Sequence, residues 1–246
     1  MKGPSRSDAA SLGSPPPPSA PSAVLFDLDG TLVDSRRDIA EACNAALAQH
    51  GLAPRSFDTI MAMVGDGARV LVMRAFAYES SDPRLDAAVA AYNRVYLASS
   101  HAQTVLLPGV RDVLDVCAEA GWRCGIVTNK QRDVTLAVLA ALEIAPLFPA
   151  IHAGDDGALK PDPGGVRDVA ARLGVAVTSA WMIGDGPQDI EAGRAAGCFT
   201  VGVPGIAERE RLVASAPDLL CESMVELAAV MRRVRAPRAE VTARRV

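Results

Sequence analysis

Polarity along the chain alternates between two rhythms. Short apolar runs at 23–28, 123–128, 150–154, 180–184 and 199–203 carry little polar alternation, the pattern of strands buried on both faces of a parallel sheet. Between them lie stretches at 110–120, 132–142, 165–173 and 189–196 whose apolar positions recur at helical spacing. Gly121, Gly174 and Gly197 follow three of these stretches, where a helix C-terminus favours glycine. Strand and helix in alternation predict an α/β fold with a doubly wound, Rossmann-like parallel sheet. One segment breaks the rhythm. From 36 to 106 only helical patterns occur, at 39–50, 68–78 and 85–97, which predicts a helical cap inserted after the first strand. The core is then expected at 22–35 and 107–230.

The ends differ from the middle. Residues 1–21 hold a PPPP run with Ser, Gly and Ala and offer almost nothing to pack, so a disordered arm is expected. Residues 231–246 are rich in arginine and form a basic tail, expected to be frayed and solvated.

Composition narrows the function classes. Half of the 246 residues are apolar, enough for a full core, and the formal net charge of −4 argues against nucleic acid as the main partner. No apolar run approaches the ~20 residues of a membrane span, and the N-terminus lacks an apolar signal-peptide core. A cytoplasmic monomer or homodimer, with no membrane partner, is expected. Five cysteines without a CxxC pair read as small core residues in a reducing compartment.

Candidate chemistry gathers at the carboxyl ends of the strands, where open parallel sheets bind ligands. The first strand ends in Asp27, Leu28, Asp29, Gly30 and Thr31; the second in Thr128, Asn129 and Lys130. A later loop holds Lys160, and the fourth strand ends in Gly184 and Asp185, with Asp189 four residues on. Asp27, Asp29 and Asp185 are expected to converge, and three close carboxylates cannot all ionise without a cation. Hard oxygen ligands with room for water and phosphate suit Mg²⁺. Lys160, Thr128 and Asn129 would complete a cradle for a tetrahedral dianion. Asp27 and Asp29 are two apart, so a regular strand would turn both to one side, pairing a nucleophile with a general acid. Asp189 could equally be a helix N-cap, and Lys130 a solvated surface lysine. Asp34, Asp66, Asp155 and Asp156 read as turn or cap residues.

The segments FDLDGTLVDS, IVTNK, LKPDP and IGDGPQDIEAGRAAG resemble, in order and spacing, the four motifs of the haloacid dehalogenase superfamily. The resemblance implies that Asp27 attacks phosphorus and that Asp29 protonates the leaving group and later activates water. It implies that Thr128 and Lys160 hold phosphoryl oxygens. Asp185 would bind Mg²⁺ with Asp27 and the backbone carbonyl of Asp29, and Asp189 would support the metal or orient Lys160. Dehalogenases lack the second acid and the metal; with Asp29 this chain has the phosphatase form.

The inserted segment resembles a C1-type cap, a lid that excludes water and reads the leaving alcohol. Within it VGDGARVLVMRAF is similar to the cap signature of phosphoglycolate phosphatases, except that Asp66 stands where Asn is usual. Gly65 and Gly67 at a helix start, with Arg74 and Lys130, are the candidate substrate readers. A small phosphate ester such as 2-phosphoglycolate is the expected substrate. A sugar phosphate such as N-acetylmuramic acid 6-phosphate, a β-phosphoglucomutase-like mutase and a non-catalytic binding module are the alternatives.

Overall fold

A computed structural model of the chain describes residues 19–99, 101–207 and 209–235. The arm before residue 19 and the arginines beyond 235 lie outside the described residues. The first strand, β1 (Ala23–Phe26), runs through a turn into β2 (Val33–Asp34). Four helices follow: α1 (Arg36–Gln49), α2 (Phe57–Met61), α3 (Ala68–Phe76) and α4 (Leu85–Ala98). The chain returns through β3 (Val105–Leu106), antiparallel to β2. It then alternates through α5 (Val110–Ala120), β4 (Arg123–Val127), α6 (Arg132–Ala141), β5 (Ala150–His152) and α7 (Gly164–Arg172). The last turns of the alternation are β6 (Ala180–Gly184), α8 (Pro187–Ala196), β7 (Phe199–Gly202), α9 (Arg209–Ala214), β8 (Leu219–Leu220) and α10 (Met224–Arg235).

The main sheet is parallel, in the order β5-β4-β1-β6-β7-β8. Strand order reverses at β1, between β4 and β6, so the crevice of the switch point opens at the carboxyl ends of these three strands. Every residue of β1 is fully buried because helices cover both faces. Val113 and Cys117 of α5, Val138 of α6 and Leu227 of α10 pack into one core. Val166 and Val169 of α7 and Ala192 of α8 pack into the other.

The cap is a small helical bundle. Ala42, Cys43 and Ala46 of α1 lie buried in one cluster with Ala88 and Ala91 of α4, and small side chains let the two helices approach closely. α3 stops at Ala77, which takes the left-handed conformation (φ 56°) that usually falls to glycine.

Three differences from the sequence reading are structural. β1 ends at Phe26 rather than 28, so Asp27 and Asp29 do not share a regular strand. A sixth strand of the main sheet, β8, and the paired strands β2 and β3, the latter inside the segment expected to be wholly helical, are too short to leave a pattern. The core runs to Arg235: Met231 is buried, and Arg232 and Arg235 pair with Asp112 and Glu119 of α5. Those two arginines are docked, not frayed. All five cysteines are buried and free.

Candidate active site

Asp27 leaves β1 still in the ladder, its amide donating to the Ile183 carbonyl at 2.9 Å. The chain then turns at Gly30, where φ is +88°. A Cβ there would sit 2.3 Å from Asp185 Oδ2, so only glycine lets the first loop pack on the loop after β6. Gly184 plays a similar part for Asp189: a Cβ would lie 2.2 Å from that residue's own Cβ. The first turn of α8 can therefore fold Asp189 back under the strand end.

These turns bring carboxylate oxygens of Asp27, Asp185 and Asp189 within 4.8 Å of one another, and all three residues are buried. Lys160 Nζ lies 2.6 Å from Asp27 Oδ1 and 2.6 Å from Asp189 Oδ1. The other Asp189 oxygen accepts the Gly186 amide at 2.9 Å. Asp185 accepts the amides of Ile206 and Ala207 at 2.6 and 3.0 Å and the Thr31 hydroxyl at 3.4 Å. Three buried carboxylates thus face one lysine.

The electrostatics follow from that count. Burial, with the neighbouring Asp189 and Asp27 charges, pushes Asp185 up to about 8 against the two amides that favour its charged form. Burial likewise raises Asp27 to about 6, although Lys160 pulls the other way. Burial alone would lower Lys160, but Asp189 and Asp27 outweigh it and hold the ammonium charged. The surplus of buried negative charge and the all-oxygen donor set fit a hard divalent cation.

Asp29 is not in this cluster, so the expected trio of Asp27, Asp29 and Asp185 is replaced by Asp27, Asp185 and Asp189. The reason is the early end of β1: beyond it the two-residue spacing no longer keeps side chains on one face. Asp29 instead accepts both a 3.0 Å and a 2.9 Å bond from Lys130 Nζ and a 2.5 Å bond from the Ser35 hydroxyl. Lys130 also donates to Tyr96 Oη of α4 at 2.8 Å, and its side chain is only 7% exposed. It is not a solvated surface lysine.

Between core and cap lies a cavity of about 70 Å³. Asp27, Asp29, Thr128, Asn129, Lys160 and Asp185 form its floor, while Gly65, Gly67 and Tyr96 reach it from the cap. Asn129 braces the structure: its side-chain amide donates to the carbonyls of Lys160 and Gly65 at 3.1 and 3.2 Å, and its oxygen accepts the Lys160 amide at 2.8 Å. One side chain thus ties the lysine loop to the cap. Gln188 approaches the same Gly65 carbonyl at 3.5 Å. Tyr92 and Tyr96 carry no motif, and Gln188 sits inside the IGDGPQDIEAGRAAG segment without a role that its residue type announces. The 92/96 spacing, which puts two tyrosines on one helix face, was the available signal.

Arg74 does not line this cavity. Its guanidinium pairs with Asp66 at 2.8 Å on the surface, where the two side chains are 43% and 48% exposed. The acid at the usual Asn position therefore has an explanation outside the substrate site. Arg74→Ala is expected to change stability by no more than ~0.5 kcal/mol and kcat/KM by less than about twofold. Steady-state kinetics and a melting curve check this; a large rise in KM would put Arg74 back in the site. Asp34, Asp155 and Asp156 are turn and cap groups, Asp155 accepting the Arg132 amide at the start of α6.

Residues 24–203 match the family model described as haloacid dehalogenase-like hydrolase. The phosphoglycolate phosphatase of Caulobacter vibrioides is 39% identical over 187 residues, 74% of this chain and 77% of that protein. The phosphoglycolate phosphatase of Escherichia coli K12 is 33% identical over 226 residues, 83% of this chain and 90% of that protein. Among solved structures, a haloacid dehalogenase-like family hydrolase from Streptococcus pneumoniae is similar with a TM-score of 0.74. It is 26% identical, and the match covers 84% of this chain and 96% of that one.

Proposed function

Because the chain belongs to the haloacid dehalogenase-like hydrolase family, we propose that it is a Mg²⁺-dependent phosphatase whose nucleophile is Asp27. The enzyme class itself, a phosphoric monoester hydrolase, follows from the relatives and sets aside a purely binding role. The finer reading is that a small ester of the 2-phosphoglycolate kind is hydrolysed through an aspartyl-phosphate. The observation that carries it is Lys160 held between Asp27 and Asp189 at the floor of a small capped cavity.

The residues then divide the chemistry between them. Lys160 grips one oxygen of Asp27 and fixes the direction in which the other attacks phosphorus. Attack forms the Asp27–phosphorus bond and breaks the bond to the ester oxygen, which takes a proton from Asp29. Water then attacks the aspartyl-phosphate, giving its proton to Asp29 and restoring the Asp27 carboxylate. Thr128 and Lys160 bind the phosphoryl oxygens, Asn129 holds the Lys160 loop in place, and Asp189 orients Lys160. Asp27, Asp185 and the Asp29 backbone carbonyl would hold Mg²⁺, with Asp189 in support; when bound it neutralises phosphoryl charge. Gly65 and Gly67 close the cap side. The likeness to phosphoglycolate phosphatases supports a small ester over a sugar phosphate. Release of inorganic phosphate from a panel of esters, with Mg²⁺ and with EDTA, tests the reading; equal turnover in EDTA, or preference for large sugar phosphates, contradicts it.

The metal assignment has a thermodynamic consequence independent of turnover. Asp27 and Asp185 titrate at about 6 and about 8 in the folded protein against 3.8 for an ordinary Asp. Between those limits the folded state holds protons that the unfolded state has released, so metal-free stability falls as pH rises. Mg²⁺ competes with those protons, and its stabilisation grows over the same window. Saturating Mg²⁺ should raise Tm by ~5 °C or more at pH 8, and by less at pH 5. A Tm indifferent to Mg²⁺ at pH 8 would contradict the site.

A further inference from the structure

We propose that Lys130 is the specificity-determining residue of the cavity, reading a carboxylate on the leaving group of the ester. This deepens the phosphatase reading and rests on it.

Two cations line the cavity among the described residues, Lys130 and Lys160. Lys160 is spent on Asp27 and Asp189 at the phosphoryl end. The walls on the cap side are mostly apolar or aromatic, made by Ile39, Val64, Ala68, Leu71 and Tyr92 beside the neutral amide of Asn93, and Val134 of α6 adds an apolar side from the core. A carboxylate carried into such walls loses its hydration, and a buried charge without a counter-charge is costly. Lys130 is the group that can answer it. Its side chain is 93% buried, yet the residue lines the cavity, with Nζ 4.3 Å from the Tyr96 ring centre.

Placement adds the length of the substrate. Thr128 and Lys130 lie two residues apart on one tight loop, and the Lys130 amide donates back to Thr128 Oγ1 at 3.2 Å. The group that holds a phosphoryl oxygen and the one that reads the leaving group therefore share one short backbone segment. Lys130 Nζ lies 2.9 Å from the acid that would protonate the ester oxygen, so a carboxylate only a few bonds from that oxygen is within its reach. The ammonium has three protons to offer, now directed at the two Asp29 oxygens and Tyr96 Oη. Exchange of the Tyr96 contact for the substrate carboxylate leaves the pair with Asp29 in place. The exchange gives up only a neutral hydroxyl, and with Asp29 carrying the proton destined for the leaving group the substrate carboxylate becomes the counter-charge of Lys130.

The test compares kcat/KM for 2-phosphoglycolate and for its uncharged isostere, the phosphate ester of glycolamide, in wild type, Lys130→Met and Lys130→Arg. Wild type should prefer the carboxylate ester by ~10²-fold or more, since a site built around a charged partner rejects the analogue lacking it. Lys130→Met should erase that preference, mostly through KM, and Lys130→Arg should restore part of it. Equal losses on both esters with the preference intact would show that Lys130 acts only by positioning Asp29. That result overturns this inference and leaves the phosphatase standing. Absence of a preference in the wild type overturns it too, whether or not the variants fold. Wild type in Mg²⁺ that hydrolyses neither ester nor an aryl phosphate would overturn the phosphatase reading, and the inference with it.

Discussion

Asp27→Asn should abolish turnover on every phosphate ester, by on the order of 10⁴–10⁶-fold in kcat, because an amide cannot form the acyl phosphate. The same change should not weaken the fold. Burial raises Asp27 to about 6, worth roughly 3 kcal/mol against its charged form at neutral pH. Asn removes that penalty, and Lys160 keeps its 2.6 Å partner in Asp189. The variant is therefore expected to melt in EDTA no lower than the wild type, while giving up the Mg²⁺ gain. Stability retained and activity lost is the signature of a functional rather than structural acid. Appreciable turnover in a folded Asp27→Asn protein would remove Asp27 from the mechanism.

Asp29→Asn has the second largest expected effect, and its size depends on the substrate. An alkoxide leaving at neutral pH needs a proton, and general acid catalysis typically contributes ~10²–10⁴-fold. A nitrophenolate leaves largely unaided, so phosphorylation of Asp27 by an aryl ester should survive better. Dephosphorylation also draws on Asp29, and the variant should show a burst of nitrophenol followed by slow turnover. The change carries a stability cost that Asp27→Asn does not, since it leaves the buried Lys130 ammonium with the neutral acceptors of an amide oxygen and Tyr96 Oη and no counter-charge. A melting curve separates that cost from the chemistry. Identical losses on alkyl and aryl esters would overturn the role given to Asp29.

The parallel α/β architecture is legible in the sequence because β1, β4 and β6 are buried on both faces and so lack polar alternation. Their order also locates Asp27, Thr128 and Asp185 at the ends of strands, and the structure gathers them with Lys160 around one cavity. What the sequence conceals is set by tertiary geometry. β8 holds only Leu219 and Leu220, too few residues for any period. Asp29 lies past the end of regular strand, where spacing no longer dictates direction. Arg74 satisfies the expectation of a cap cation, but its neighbour Asp66 captures it at the surface. Tyr96 sits on a helix 67 positions after Asp29 in the chain, and only the closure of the cap onto the core brings it to Lys130. Arg232 and Arg235 look like part of a basic tail until α5 supplies their acids.

The central claim is that the phosphoryl group passes through Asp27, and one measurement meets it directly. Wild-type, Asp29→Asn and Asp27→Asn proteins are each mixed with an aryl phosphate in Mg²⁺, quenched in acid within the first turnover, and mapped by peptide mass spectrometry. The account predicts a single phosphoryl group on the peptide carrying Asp27, more abundant in the Asp29→Asn protein and missing from Asp27→Asn. Turnover with no adduct in Asp29→Asn, or a phosphoryl group on any other residue, would contradict it.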